Sequence, residues 1–266
     1  MPAEYLSWVP ADVDLGKPNP ARVYDYILGG ANNFEADREF AKQMLALIPD
    51  AQALAQENRA FLRRVVAFLA ERGIRQFIDL GSGIPTVGNT HDVAQRIDPG
   101  ARVVYVDNES VAVAHSELIL QHNENADILR ADVRDVSTVL GHPVMRRLVD
   151  FDQPVALLMF AVLHFISDED DPHRLVADYR NATVAGSCLA LSHVTTDSRP
   201  EVGDVLARYS RSASQVTERD LPEVTRLFDG YDLVSPGVVF TREWRPEIEL
   251  EYRAPSPIYG GVGLRI

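Results

Sequence analysis

The stretch Phe77-Ile78-Asp79-Leu80-Gly81-Ser82-Gly83-Ile84-Pro85-Thr86 decides how the rest of the chain is read. A short apolar run takes in a carboxylate, and two glycines then alternate with other residues before a helical pattern begins. Glycine removes the side chain where a backbone must turn sharply and where a ligand must come close. A helix starting beyond such a turn points its free N–H groups at the same place. The segment therefore reads as a strand, a ligand-binding turn and a helix. A dinucleotide fingerprint needs a third glycine where Thr86 stands, and no Walker-type lysine follows.

Outward from this segment, short apolar runs alternate with helical patterns. Strands are expected at 76–80, 102–106, 127–130, 155–160 and 188–193, with helices at 86–97, 110–121, 136–149 and 172–183 between them. Such alternation implies βαβ units and a parallel sheet. The unbroken apolar run at 155–160 implies a strand buried on both faces. Helices at 200–214 and 218–228 follow, and 238–241 with 248–252 reads as a hairpin-type pair closing the sheet. Toward the N-terminus, four prolines in the first twenty residues imply an irregular arm. Phe40, Met44, Leu47 and Ile48 then form one helical stripe. Pro49 ends that helix, and Asp50 is placed to N-cap a second one running to Arg72. The fold class is α/β: a doubly wound, mostly parallel seven-stranded sheet with a helical N-terminal addition. Residues 1–72 form the arm and helices over the site and 73–266 the core, within one structural domain.

The 266 residues include 26 Lys+Arg against 39 Asp+Glu, a net charge of -13. Such a field repels phosphate backbones, so nucleic acid is not the expected partner. The pairs Arg63-Arg64 and Arg146-Arg147 read as solvated helix faces. A single cysteine, Cys188, excludes an intrachain disulfide and a Cys-based metal site. No apolar run approaches the roughly 20 residues of a membrane span, and the N-terminus lacks a signal-peptide pattern. A cytoplasmic protein without membrane contact is expected. Nothing in the composition fixes an oligomeric state.

In doubly wound folds, ligands bind beyond the carboxyl ends of the strands, near the reversal of strand order. Three carboxylates fall at successive strand ends: Asp79, Asp107 and Asp132. An acid at the second can accept two hydrogen bonds from a ribose diol. His164, past the fourth strand, and His193, at the end of the fifth, are candidate bases because histidine titrates near neutrality. The alternative for each is a hydrogen-bonded structural histidine. In Ser167-Asp168-Glu169-Asp170-Asp171-Pro172, Asp171 reads as the cap of a helix opened by Pro172 and not as a metal ligand. Tyr252, Arg253, Tyr259 and the glycine run 260–263 read either as a lid or as an ordered terminus.

The arm carries a more specific signal. Pro20-Ala21-Arg22-Val23-Tyr24-Asp25-Tyr26-Ile27-Leu28-Gly29-Gly30-Ala31-Asn32-Asn33-Phe34-Glu35-Ala36-Asp37-Arg38 resembles the signature of a family of actinobacterial S-adenosylmethionine-dependent methyltransferases, long known as a domain of unknown function. The family pattern is also similar to Asn58-Arg59-Ala60-Phe61-Leu62-Arg63-Arg64, to the segment 79–86 with its Pro85, to Val104-Tyr105-Val106-Asp107-Asn108, to Ala161-Val162-Leu163-His164-Phe165 and to Tyr259-Gly260-Gly261-Val262. Asp79-x-Gly81-x-Gly83 resembles motif I of class I methyltransferases. The resemblance implies a Rossmann-like fold, S-adenosylmethionine as cofactor and a small-molecule acceptor of unstated identity. It implies cofactor contacts from Asp79, Gly81, Ser82 and Gly83 in the turn, from Asp107 and Asn108 at the ribose, and from Asp132 and Val133 at the adenine. Phe160 completes that set, and Arg22, Tyr24 and Asn33 of the arm would close over the methionine end. An aromatic face or a carboxylate favours a sulfonium cation. A non-catalytic, regulatory protein on the same scaffold is the alternative. A nicotinamide oxidoreductase is disfavoured by Thr86 and by the lack of a Tyr-x-x-x-Lys pair.

Overall fold

A computed structural model describes residues 9–212, 214–247 and 256–266. Five parallel strands, β1 (Gln76–Leu80), β2 (Arg102–Asp107), β3 (Ala126–Arg130), β4 (Ala156–Phe160) and β5 (Cys188–Val194), lie in the order β3-β2-β1-β4-β5. The order reverses between β1 and β4, which opens the crevice where such folds bind ligands. The doubly wound α/β reading holds, but among the described residues the sheet has eight strands instead of the expected seven, because its far edge carries two short extra strands. There β6 (Asp232–Leu233), β7 (Val239–Phe240) and β8 (Ile258–Leu264) add antiparallel pairs, with β8 running against the whole of β5. The closing strand is thus 258–264, the run read from sequence as a tail or lid. Of the expected hairpin, 238–241 contributes β7, and 248–252 lies outside the described residues.

Strand periodicity of two sorts side chains to the two faces. Phe77, Val103, Tyr105, Leu158 and Phe160 join one buried cluster, and Ile78, Leu80, Val104, Val106, Leu157 and Met159 the other. The first cluster is covered by α3 (Ala51–Glu71) and α4 (Thr90–Ile97), and Trp244 lies fully buried against Phe61 and Phe68. The second is covered mainly by α7 (Pro143–Leu148), α8 (Pro172–Asn181) and α10 (Leu221–Arg226).

Helix boundaries moved where capping chemistry overruled periodicity. Helix α4 begins at Thr90 instead of 86, because Asp92 caps the Asn89 backbone N–H at 2.9 Å and Asn89 holds Thr86 N at 2.9 Å. The expected 136–149 helix divides into α6 (Val136–Gly141) and α7 at His142, whose extended backbone is what a residue before proline prefers. Asp50 does stand at the N-cap of α3, but its carboxylate is taken by Arg199 at 2.7 Å. Asp171 caps α8 as expected, accepting from Arg174 N at 3.0 Å.

The arm is more regular than its prolines imply. Helix α1 (Pro20–Ile27), missed in the sequence, is capped by Asn19 and leads through a tight turn into α2 (Glu35–Leu47). Both pack with α3 and α9 (Val202–Ser212) through Val23, Ile27, Phe40, Ala55 and Tyr209. Among the described residues, no helix is long and apolar enough to cross a membrane.

Candidate functional site

A cavity of about 620 Å³ opens at the carboxyl ends of β1, β2 and β4. That is within the roughly 300–1,000 Å³ of small-molecule sites. Its wall includes Tyr24, Asp79, Gly81, Ser82, Gly83, Asp107, Asn108, Asp132, Val133, Phe160 and His164, all anticipated from the sequence. Arg22, Asn33 and His193 stand behind that wall.

The turn after β1 explains its glycines. Gly81 has φ +73°, and a Cβ there would lie 2.4 Å from Val162 Cγ2. Gly83 has φ +67°, yet a Cβ there would meet no atom within 4 Å. Gly81 is thus demanded by the fold, whereas Gly83 leaves open space on the cavity side. Alanine at either costs about 1–2 kcal/mol of left-handed strain. Gly81→Ala adds a steric clash and is expected to lower the unfolding temperature further than Gly83→Ala. Gly83→Ala is expected to cost cofactor affinity beyond its small thermal shift, as calorimetry and thermal unfolding will show. Equal stability losses with unchanged affinity would count against this division.

The three carboxylates differ in their commitments. Asp79, buried, accepts from Thr90 Oγ1 at 2.6 Å and so ties the turn to α4; burial raises its pKa. Asp107 accepts from Gly83 N at 2.7 Å and from Glu109 N at 2.9 Å, one bond on each oxygen. Each carboxylate oxygen has a second lone pair, so two acceptor positions remain. Burial outweighs these bonds and pushes its pKa up to about 6. Asp132 is clasped by Arg134, with Nη2 at 2.6 Å, and that pairing holds its carboxyl below the usual range.

Past β4 the chain makes a strained turn. Ala161 sits at φ +53°, costly for any residue with a Cβ, with its N–H on Ser192 Oγ at 3.0 Å. The turn leads into the 3₁₀ segment Leu163–Phe165, which places His164 in the cavity wall, 9% exposed. Nδ1 of His164 is buried without a hydrogen-bond partner among the described residues. Burial first, then His193 and Arg219, hold its pKa well below the ordinary histidine value, so the ring is neutral.

His193 has a different task. Nδ1 lies 2.7 Å from the Val194 carbonyl and Nε2 2.9 Å from Arg219 Nη1. A carbonyl only accepts and a guanidinium only donates, so the proton is on Nδ1 and the Nε2 lone pair is spent. Burial pushes its pKa down to about 4. No nitrogen is left to act as a base. Arg219, which sequence reasoning missed, also donates to the carbonyls of Leu163 and Ile166 and to Asp168, fixing the His164 turn. It lies 55 residues beyond His164 in an unremarkable polar stretch, and no sequence pattern marks it.

The arm residues divide likewise. Arg22 donates to Asp37 at 2.8 Å and Glu109 at 2.7 Å, both buried, and to the part-buried carbonyls of Asp14 and Lys17. Asn33 donates to Asp25 at 2.8 Å and to the Gly30 carbonyl. Tyr24 does reach the cavity; its hydroxyl donates to the Ala55 carbonyl at 3.0 Å and accepts from Asn58.

A parallel sheet with its crevice at the β1/β4 reversal, a two-glycine turn and carboxylates at three strand ends define a nucleoside-cofactor enzyme of Rossmann-like build. The chain belongs to the S-adenosyl methyltransferase family, whose pattern matches residues 7–265. A candidate methyltransferase from Thermobifida fusca is 40% identical, with a TM-score of 0.93 over 97% of this chain and 99% of that one. A DUF574 family protein from Streptomyces avermitilis is 36% identical, with a TM-score of 0.92 over 95% and 99%. Both sources are actinobacteria, and the arm signature named the same family. An O-methyltransferase family protein from Burkholderia thailandensis shares the fold alone, at 14% identity and a TM-score of 0.52 over 84% of this chain and 62% of that one. None of the curated proteins matches this sequence. The cofactor of the family is S-adenosylmethionine, and the open space at Gly83 with the free lone pairs of Asp107 fits its nucleoside.

Proposed function

We propose that this methyltransferase acts on an uncharged, largely apolar small molecule bearing a hydroxyl, with His164 as the base. The observation that carries the reading is the change of character along the cavity. Its charged lining residues, among them Asp79, Asp107, Glu109, Asp132 and Arg134, come from the strand ends and the loops after them, with Arg59 added from α3. The wall furnished by Met44, Ile48, Leu54, Val202, Val205, Leu206 and Ile258 is apolar. A charged acceptor would have to shed its water there without compensation. The chain's net charge of -13 argues in the same direction against a nucleic-acid acceptor, and the lone buried cysteine suits a reducing cytoplasm.

In this reading Asp107 accepts the ribose hydroxyls, Asp132 and Val133 meet the adenine, and Phe160 flanks the reacting end. The bound cofactor supplies a methyl group on a positively charged sulfur. The cavity walls align the acceptor oxygen with that carbon, which is the larger part of such catalysis. His164, neutral and with Nδ1 unbonded among the described residues, takes the hydroxyl proton as the oxygen bonds to the methyl carbon. With the cofactor bound, loss of its methyl from sulfur would give the demethylated thioether and a methyl ether, while His164 holds the proton, so charge and atoms balance. Arg219 and Ser192 keep the His164 turn in place.

The test is turnover of methyl-labelled cofactor against acceptor sets divided into uncharged phenols and alcohols, carboxylates, phosphates and amines. Product is expected in the first set. His164→Gln is expected to lower kcat by roughly 10²–10⁴-fold with cofactor affinity unchanged. Because His164 is held below the ordinary histidine pKa, the rate should stay level through neutral pH and fall only on the more acid side. Methylation confined to amines or phosphates, or full activity in His164→Gln, would overturn the assignment.

A further inference from the structure

Besides His164 Nδ1, three buried side-chain atoms in the wall of this cavity have no hydrogen-bond partner among the described residues: Asn58 Oδ1, Arg59 Nε and Ser82 Oγ. Such orphans are rare in folded proteins and costly to keep. All three residues line the same cavity, with Arg59 and Ser82 also sharing a smaller pocket beside it, which is what a site shows before its ligand supplies the partners.

Asn58 and Arg59 lie on α3, and Ser82 lies between the two glycines of the β1 turn. The polarity of each orphan follows from its neighbours. The Tyr24 hydroxyl gives its only proton to the Ala55 carbonyl, so it can only accept from Asn58, whose amide nitrogen is 3.3 Å away. That turns the amide so that Oδ1 is the free acceptor, on a side chain 3% exposed. Arg59 is in no ion pair among the described residues; one terminal nitrogen reaches the Gly88 carbonyl at 3.4 Å, and Nε–H is unspent. Ser82 offers a hydroxyl. A free acceptor beside a cation and two free donors is the complement of an α-amino acid, whose ammonium needs the first and whose carboxylate needs the others.

We propose that Asn58, Arg59 and Ser82 clamp the α-amino-acid end of S-adenosylmethionine, Asn58 Oδ1 accepting from the ammonium and Arg59 Nε and Ser82 Oγ donating to the carboxylate. The clamp rests on the family's cofactor and on its nucleoside lying at Asp107. It makes α3 part of the cofactor site and gives the protein a means to reject nucleosides that lack the amino acid.

Calorimetry with S-adenosylhomocysteine and 5′-methylthioadenosine tests this, since the second keeps the thioether nucleoside and lacks the amino-acid end. The wild-type protein is expected to prefer S-adenosylhomocysteine by about 100-fold or more, as several charge-assisted hydrogen bonds allow. Arg59→Met should cut its affinity roughly 30-fold while shifting that of 5′-methylthioadenosine less than about 3-fold. Ser82→Ala, which leaves α3 untouched, should act in the same sense by about 5–10-fold. Asn58→Asp, which keeps the acceptor, should retain the preference that Asn58→Leu loses. Equal weakening of both ligands, or an unchanged preference in Arg59→Met, would overturn the clamp while leaving the cofactor reading intact. Failure of the wild-type protein to bind either ligand would sink both.

Discussion

Asp107→Asn is expected to weaken binding of S-adenosylmethionine by about 100-fold or more. Both oxygens of Asp107 already accept from backbone N–H groups, those of Gly83 and Glu109. An asparagine must turn its NH₂ against one of these donors, and it loses the charge that strengthens any bond from the ribose. Two charge-assisted bonds at roughly 1.5–3 kcal/mol each carry that loss. The same residue gives binding a pH dependence. Its carboxyl is raised to about 6, chiefly by burial, and the ligand needs the charged form. Affinity should therefore fall as pH drops through 6, with proton release on binding near that pH. Folding stability runs the other way. The cost of ionising the buried group is absent below its ordinary value of 3.8 and full above about 6, and it amounts to about 3 kcal/mol. Calorimetry from pH 5 to 8 in buffers of differing ionisation enthalpy checks both signs. An affinity that ignores pH across this range would remove Asp107 from the ribose contact.

Arg22→Met is expected to be the most destabilising of the substitutions considered. The guanidinium holds Asp37 and Glu109 together with side-chain exposures of 4%, 0% and 5%. Removing it strands two buried carboxylates, a loss of the kind that costs about 3–5 kcal/mol. In a chain of this size that lowers Tm by roughly 6–20 °C. Arg22→Lys should recover little, because a point charge cannot serve four acceptors set around a planar fork. Thermal unfolding of the cofactor-free protein is the measurement. A shift under about 2 °C with strongly reduced cofactor affinity would instead return Arg22 to the direct contact expected from the sequence.

The fold was legible where apolar periodicity and turn chemistry agree. All five parallel strands stood out as short apolar runs between helical patterns, most clearly β4, whose five residues are all apolar and all buried. Strand β8 did not, because its sequence is rich in glycine, which strand propensity counts against. The structure supplies the reason: a Cβ at Gly260 would lie 2.4 Å from the Phe61 ring, and one at Gly263 2.7 Å from Tyr231. Helix α1 was hidden by the prolines around it, although Pro20 is a first-turn residue that starts the helix. In the site, Asp79, Asp107, Asp132 and the turn glycines were readable because each occupies a fixed place at a strand end. Arg22, Asn33 and His193 were expected at the cofactor or the reaction, and here their polar atoms are engaged by neighbouring protein groups. Residue type tells that a group must be satisfied, and only the packed chain tells by whom. Asn58 and Arg59 lie in a stretch that resembles the family pattern, but their orphaned atoms, like the contacts of Arg219, appear only in the packed chain.

Glu109 joins features that lie far apart in the chain. Its carboxylate takes Arg22 on one oxygen and the Ala112 N–H, at the start of α5 (Ser110–Leu120), on the other, while its own N–H goes to Asp107. Helix α1 meanwhile lends Val23, Tyr24 and Ile27 to the cavity wall. Trimming a proline-rich leader to obtain a tidier protein for crystals or assays is common practice. Here the scissors would pass through the cavity: a chain begun at residue 30 would keep the two-glycine turn and the strand-end carboxylates and lack both a side of its chamber and the brace behind Asp107.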